Sequence, residues 1–188
     1  MKDPTRTRIL DGAAPVFAEH GYAGASTRTL AAAAGVNVAT LAYHFGDKEG
    51  LYAAVLDRIY EQLLGVDLNL DHLPADRRAR VHAVIISLWR VASSHRVEIR
   101  VLLRHVLDTE HLPDHVQARW LPQVLGRIGE AVAALDLPPG DHRLVFLSVN
   151  HLLARYAVTD PADLAVFGAD SDAVARHIAD LACRGLGV

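Results

Sequence analysis

The sequence predicts an all-α protein, with an N-terminal three-helix bundle followed by a larger C-terminal helical bundle. Three observations predict it. Apolar residues recur at the 3.6-residue period almost throughout, no run alternates at period 2, and Gly, Pro, Asn and Asp punctuate the chain at helical lengths. The 188 residues, 51% hydrophobic and 22% charged, have ordinary globular composition and can bury a core without staples. The single cysteine, Cys183, excludes an internal disulfide framework and a cysteine-built zinc site. No apolar run is long enough to span a membrane, and the N-terminus lacks a signal-peptide core. The expectation is a soluble cytoplasmic protein with no membrane partner.

Ile9, Ala13, Val16 and Phe17 mark a first helix that stops before Gly21, where glycine supplies a left-handed end. Pro15 lies inside it, removes the bond to the Asp11 carbonyl and is expected to bend it. Ser26 or Thr27 caps a short alanine-rich helix through Ala34, closed by Gly35. Asn37 caps a third helix reaching about His44, and Asp47 a fourth whose Leu51, Val55 and Ile59 share one face.

Residues 65 to 74, rich in Gly, Asp, Asn and Pro, read as a connection. Beyond it, Val81, Val84, Ile85, Leu88 and Ala92 line one helix, and Val97, Val101 and Val106 the next. Pro113 opens another, which Pro122 must kink or restart. After Leu137-Pro138-Pro139-Gly140, helices are expected over about residues 141 to 156 and 170 to 185.

Two short helices joined by Gly35-Val36-Asn37, with another capped helix directly after, have the layout of a helix-turn-helix. In that layout the first short helix braces a second, whose N-terminal half enters the major groove while flanking groups hold phosphates. Ala31 to Ala34 permit the close crossing. A plain helical hairpin has the same spacing, so spacing alone leaves both readings open.

The residues say more. Thr27-Arg28-Thr29-Leu30-Ala31-Ala32-Ala33-Ala34-Gly35-Val36, then Thr40-Leu41-Ala42-Tyr43-His44-Phe45-Gly46-Asp47-Lys48-Glu49-Gly50-Leu51, resembles the DNA-binding domain of the tetracycline-repressor (TetR-like) family. Val16-Phe17-Ala18-Glu19-His20-Gly21-Tyr22 matches the family's first-helix ending. The resemblance implies a DNA-binding domain over residues 1–50, with the fourth helix from 47 linking it onward, and a ligand-binding and dimerisation domain over 51–188. It implies a homodimeric transcriptional regulator, usually a repressor. Such a protein binds a palindromic operator in double-stranded DNA and leaves it when a small-molecule effector binds. The connection ending near Pro74 is expected to transmit that movement.

Arg28 is the base-edge candidate, since its fork takes guanine O6 and N7 together. Val38 and Ala39 are small and apolar at the start of the recognition helix and suit a thymine methyl. Asn37 is a cap first, with base contact secondary. Thr27, Thr40, Tyr43 and His44 are polar candidates for the backbone. Lys48 sits in the first turn of a helix, where the dipole disfavours a cation; a phosphate explains the placement, and the family's motif has a phosphate-binding lysine there. Ala42 departs from the tyrosine the family often carries, and the neighbouring Tyr43 can cover that contact. Leu30, Leu41 and Phe45 are read as core.

The C-terminal two thirds say less. By the resemblance, the last two long helices pair with their two-fold mates, giving Leu144, Leu147, His151, Val174, Ile178 and Leu181 as interface candidates. A ligand cavity is expected among Trp89, Arg104, His105, Trp120, Asn150 and His151, polar or aromatic residues set in apolar helices. His111 and His115 are four apart, but Pro113 between them spoils a shared metal-binding face, so no metal is expected. No nucleophile elbow, P-loop or dinucleotide fingerprint occurs, so neither enzyme activity nor a cofactor is expected. The rival reading is a helical protein–protein interaction or ligand-carrier module without DNA binding.

The net charge of −3 divides unevenly. Residues 1 to 60 hold six basic and six acidic side chains, so the excess lies beyond them. The N-terminal part offers placed cations, Lys2, Arg6, Arg8, Arg28 and Lys48, rather than a basic field. A modest salt dependence and weak non-specific binding are expected.

Overall fold

A computed structural model of the chain describes residues 3–109 and 114–188. The order is α1 (Pro4–Gly24), α2 (Thr27–Ala33), α3 (Val38–Phe45), α4 (Lys48–Leu64), a 3₁₀ turn (Leu70–His72), α5 (Arg77–Ser94), α6 (Arg96–Thr109), α7 (Asp114–Leu135), α8 (Arg143–Ala157), α9 (Pro161–Val166) and α10 (Ser171–Leu186). No strand occurs among the described residues. Two compact units result: Met1–Leu64 with Val97–Pro122, and Gly65–Arg96 with Gln123–Val188.

In the first unit, Ile9, Ala13, Val16 and Phe17 of α1 meet Leu30 of α2, Leu41 of α3 and Leu51, Val55, Leu56 and Ile59 of α4 in one core. Burying a large apolar side chain contributes about 1.5–3 kcal/mol, and this shared core holds α2 and α3, seven and eight residues long and too short to persist alone, against α1 and α4. Val101, Val116 and Trp120 join the same core from α6 and α7. α1 keeps helical geometry through Pro15; its break falls at Gly21, with φ 68° and ψ 178°. Gly12 lets α1 cross α2 closely, since a Cβ there would stand 2.8 Å from the backbone of Ala33 and Ala34.

In the second unit, Val81, Val84, Ile85, Trp89 and Ala92 of α5 pack with Val149, Leu153 and Ala157 of α8. α10 adds Val174, Ala175, Ile178, Ala179, Ala182 and Cys183, a face whose small residues allow close approach. Asp76, Asp160 and Asp170 accept backbone N–H bonds and so cap α5, α9 and α10. Arg78 donates to Asp180 at 2.6 Å, tying α5 to α10.

Several expectations are corrected. In α6 the inward residues are Ile99, Val101 and His105, whereas Val97 and Val106 are exposed. Nine residues turn a helix by about 900°, so those two valines cannot share a face. α7 is one helix through Pro122, so of the two expected outcomes, a kink or a restart, the restart does not occur. The proline forfeits the bond to the Ala118 carbonyl, a local loss a 22-residue helix tolerates. α9, at six residues, is too short to show a period in the sequence. Lys2, His111, Pro113 and the His115 side chain lie outside the described residues.

Candidate functional site

The turn between α2 and α3 is built by two consecutive caps. Gly35 takes φ +61°, and its N–H reaches the Ala32 carbonyl while that of Val36 reaches Ala31, both at 3.0 Å. This doubly bonded left-handed ending stops α2 within one residue. Asn37 then accepts from the Thr40 N–H at 2.7 Å and from the Thr40 hydroxyl at 3.0 Å, starting α3. α3 buries Leu41 and leaves Val38, Ala39, Ala42 and Tyr43 exposed, Tyr43 at 86%. Gly46 ends α3, and Asp47 accepts from the Gly50 N–H at 2.8 Å to start α4. An eight-residue helix, about 12 Å long, is thus presented outward with its inner face fixed.

The cations around it fall into two groups. Arg28 and Arg8 are exposed and have no ion pair among the described residues. Arg58 is committed to Asp11 and the Thr7 carbonyl, and Arg6 lies 5.0 Å over the Phe45 ring. Lys48 donates to the carbonyls of Tyr22 at 3.0 Å and Ala25 at 3.2 Å, and its ammonium sits 4.3 Å from the Tyr22 ring centroid. His44 faces Asp3 at 3.3 Å and is half-buried. Thr27 is half-buried at the first position of α2, and the Thr40 hydroxyl is engaged with its cap.

The sequence profile of the bacterial regulatory proteins of the tetR family matches residues 9–55. The HTH-type transcriptional repressor SCO4008 of Streptomyces coelicolor is 31% identical over 167 residues, covering 85% of this chain and 82% of that protein. The chain belongs to the tetR family. It is a DNA-binding transcriptional regulator. The repressor NicS of Pseudomonas putida is similarly related, 28% identical over 202 residues, 98% of this chain and 93% of its own. A bacterial regulatory protein of the tetR family from Rhodococcus shares the fold, with a TM-score of 0.76 at 22% identity over 98% of each chain.

In this tetR-family chain, Tyr52, Asp57, Tyr60 and Glu61, α4 side chains that sequence reasoning passed over, join that helix to α6 and α7 within the first unit. The Tyr52 hydroxyl meets His105 Nδ1 at 3.0 Å, and burial, then Asp108, then Tyr22 push the phenol up to about 12. Trp120 donates through its indole nitrogen to Asp57 at 2.6 Å and stacks on Tyr60; Arg119 reaches Asp57 and Glu61. An aromatic or acidic residue on α4 is the only trace such pairings leave in a sequence.

Of the six expected effector-pocket residues, five do not line the cavity described below. His105 and Trp120 are enclosed in the first unit's core, with those ring atoms bonded to Tyr52 and Asp57. Asn150 and His151 are exposed on α8, and Arg104 is half-buried beside Gly21. Trp89 lines a cavity of the second unit. Of the expected interface residues, Leu144, Leu147 and His151 lie on the outer side of α8, but Val174 and Ile178 are buried in their own unit's core against α5 and α8. The apolar stripe of α10 is consumed within the protomer, which leaves none of those two side chains for a second copy. Leu181 is half-buried.

Among the described residues no three His, Cys, Asp or Glu side chains gather to hold a metal, and no helix is long and apolar enough to cross a membrane.

Proposed function

We propose that this regulator is a cytoplasmic repressor that binds a palindromic operator as a homodimer and is released by a small-molecule effector. The observation that carries the reading is the outward face of α3, apolar and nearly unbranched at Val38, Ala39 and Ala42, flanked by the unpaired Arg28. Small side chains let a helix approach base edges, and an uncommitted guanidinium supplies a bidentate donor to guanine. The regulatory character of the curated repressors SCO4008 and NicS supports the same reading.

In this reading residues 1–50 contact DNA, and residues 51–188 bind the effector and dimerise. Arg28 reads a base, Val38 and Ala39 pack on a thymine methyl, and Asn37 sets the helix start. Thr27, Thr40, Tyr43 and His44 lie along the backbone. Lys48 has three N–H donors and two are taken by carbonyls, which leaves one for a phosphate. Two-fold symmetry places two α3 helices on half-sites about one helical turn apart, through contacts that include Leu144, Leu147 and His151. The effector acts by favouring a dimer whose two α3 helices no longer match that spacing, to the extent that its affinities for the two states differ. The contacts of α4 with α6 and α7 give a packed route for that movement.

The test is retention on DNA that includes the region upstream of the protein's own gene, titrated with salt. A sequence-dependent, salt-sensitive complex is expected. Absence of any DNA binding by the folded protein sinks the reading.

A further inference from the structure

Within the second unit, α5 and α10 flank a groove with a cavity of about 630 Å³, well inside the range that small-molecule sites occupy. Its apolar surface comes from Ile86 and the buried Trp89. The Trp89 indole N–H donates to the Ser171 hydroxyl at 3.0 Å, which fixes both side chains as a wall.

Three features of this groove are left incomplete by the protein itself. Arg90 of α5 and Arg176 of α10, both exposed at its rim, line it, and neither guanidinium has an ion pair or hydrogen bond among the described residues. Elsewhere Arg58, Arg77, Arg78, Arg119, Arg127 and Arg143 all meet carboxylates. Ser93, also in the lining, holds its hydroxyl oxygen buried with no partner; it is the sole buried side-chain nitrogen or oxygen in that condition among the described residues. A buried hydroxyl without a partner is costly, and natural proteins retain few of them. Asp172 is the one carboxylate in the lining, so the two arginines leave a net positive groove.

These features ask for the same complement. We propose that the groove binds a small organic oxyanion, a carboxylate or phosphate carried on an apolar body, and that this molecule is the effector; the second half rests on the regulator reading above. The oxyanion takes the forked donors of Arg90 and Arg176, which suit either group. A χ1 rotation of Ser93 brings its hydroxyl into the groove to donate to the oxyanion, and the apolar body lies along Trp89 and Ile86. Asp172 accepts from a hydroxyl or amide on the ligand.

Calorimetric titration of the full chain without DNA, with benzoate, octanoate and phenyl phosphate as probes and benzamide as the uncharged control, tests the site. At least one anion is expected to bind at millimolar concentration or below while benzamide does not, and the carboxylate and phosphate arms decide which oxyanion is preferred. Arg90→Gln with Arg176→Gln is expected to weaken that binding at least tenfold. Ser93→Ala is expected to weaken it several-fold while raising the thermal midpoint of the ligand-free protein, a pairing that a merely structural serine would not give. Failure of all three anions to bind, or equal binding by the arginine double variant, overturns the site. Binding that leaves operator affinity unchanged overturns its assignment as the effector site. Loss of DNA binding by the probe-free wild type would instead strike the regulator reading.

Discussion

The Lys48 ammonium lies 3.0 Å from the Tyr22 carbonyl oxygen and 4.3 Å from the centroid of the same residue's ring. One side chain therefore fastens the start of α4 to the end of α1 and to Ala25 just after it, with one N–H left over for the phosphate contact proposed above. Lys48→Ala is expected to lose both roles. Stability should fall by about 1–2 kcal/mol, the scale of a charged hydrogen bond with a cation–π contact. The slope of log affinity against log salt should drop by about one, on every DNA sequence alike. A stability loss with an unchanged slope would show that the lysine is only a clasp.

Arg28 makes the opposite prediction. It is exposed and unpaired, so Arg28→Ala should leave thermal stability within about 0.5 kcal/mol of the wild type. Cognate operator binding should weaken by about 1–3 kcal/mol per contacted base pair, with preference relaxed at one position in each half-site. Equal weakening on cognate and scrambled DNA would remove it from base reading.

Gly12→Ala tests the crossing of α1 and α2. The new methyl would stand 2.8 Å from backbone atoms of Ala33 and Ala34, which cannot swing aside as a side chain can. The expected cost is about 1–3 kcal/mol by thermal or urea unfolding, with weakened DNA binding because α2 braces α3. A variant as stable as wild type would show that the crossing is looser than described.

Tyr52 predicts an alkaline limit. Burial leads the causes that push its phenol from 10.0 to about 12, so the folded state resists ionisation more than the unfolded one. A raised pKa leaves stability intact below pH 10 and erodes it as pH climbs towards about 12, by about 2–3 kcal/mol in all. Burial raises Tyr60 as well, in the same direction. Unfolding free energies measured from pH 8 to 12 should fall accordingly. Tyr52→Phe should be less stable at pH 8, having lost the His105 hydrogen bond, yet decline less steeply above pH 10.

Leu147 is 51% exposed and Leu144 75% exposed on α8, with no core to serve in the protomer. Leu147→Glu should leave helical circular dichroism unchanged and convert a dimer to a monomer in sedimentation. Operator affinity should then fall by about 100-fold or more, since each half-site would be bound alone. A wild-type monomer at micromolar concentration would overturn the dimer itself.

Much of the N-terminal unit was legible because its signals are local. Ser26, Asn37 and Asp47 cap the helices they precede, and Gly35 ends one, through bonds spanning three to five residues. The 3.6-residue period marked Ile9, Phe17, Leu51, Val55 and Ile59 as inward, and all five are buried. Legibility ended where a residue's role depends on a distant partner. Val174 and Ile178 form an apolar stripe that either a second copy or the protomer's own α5 and α8 would bury, and the period is the same in both cases. His105 and Trp120 look like pocket residues until Tyr52 and Asp57, more than fifty positions away, take those ring nitrogens.

By itself the sequence determined the all-helical class, the capped helix-turn-helix and its family, since each follows from spacing and residue type along one stretch of chain. Tertiary structure alone decided which cations are committed and which are uncommitted, separating Lys48 and Arg58 from Arg28, and likewise Arg90 and Arg176 from the paired arginines. Charge is a property of a residue, but its availability is a property of what folds within about 4 Å of it, and that distance is not written in the order of the chain.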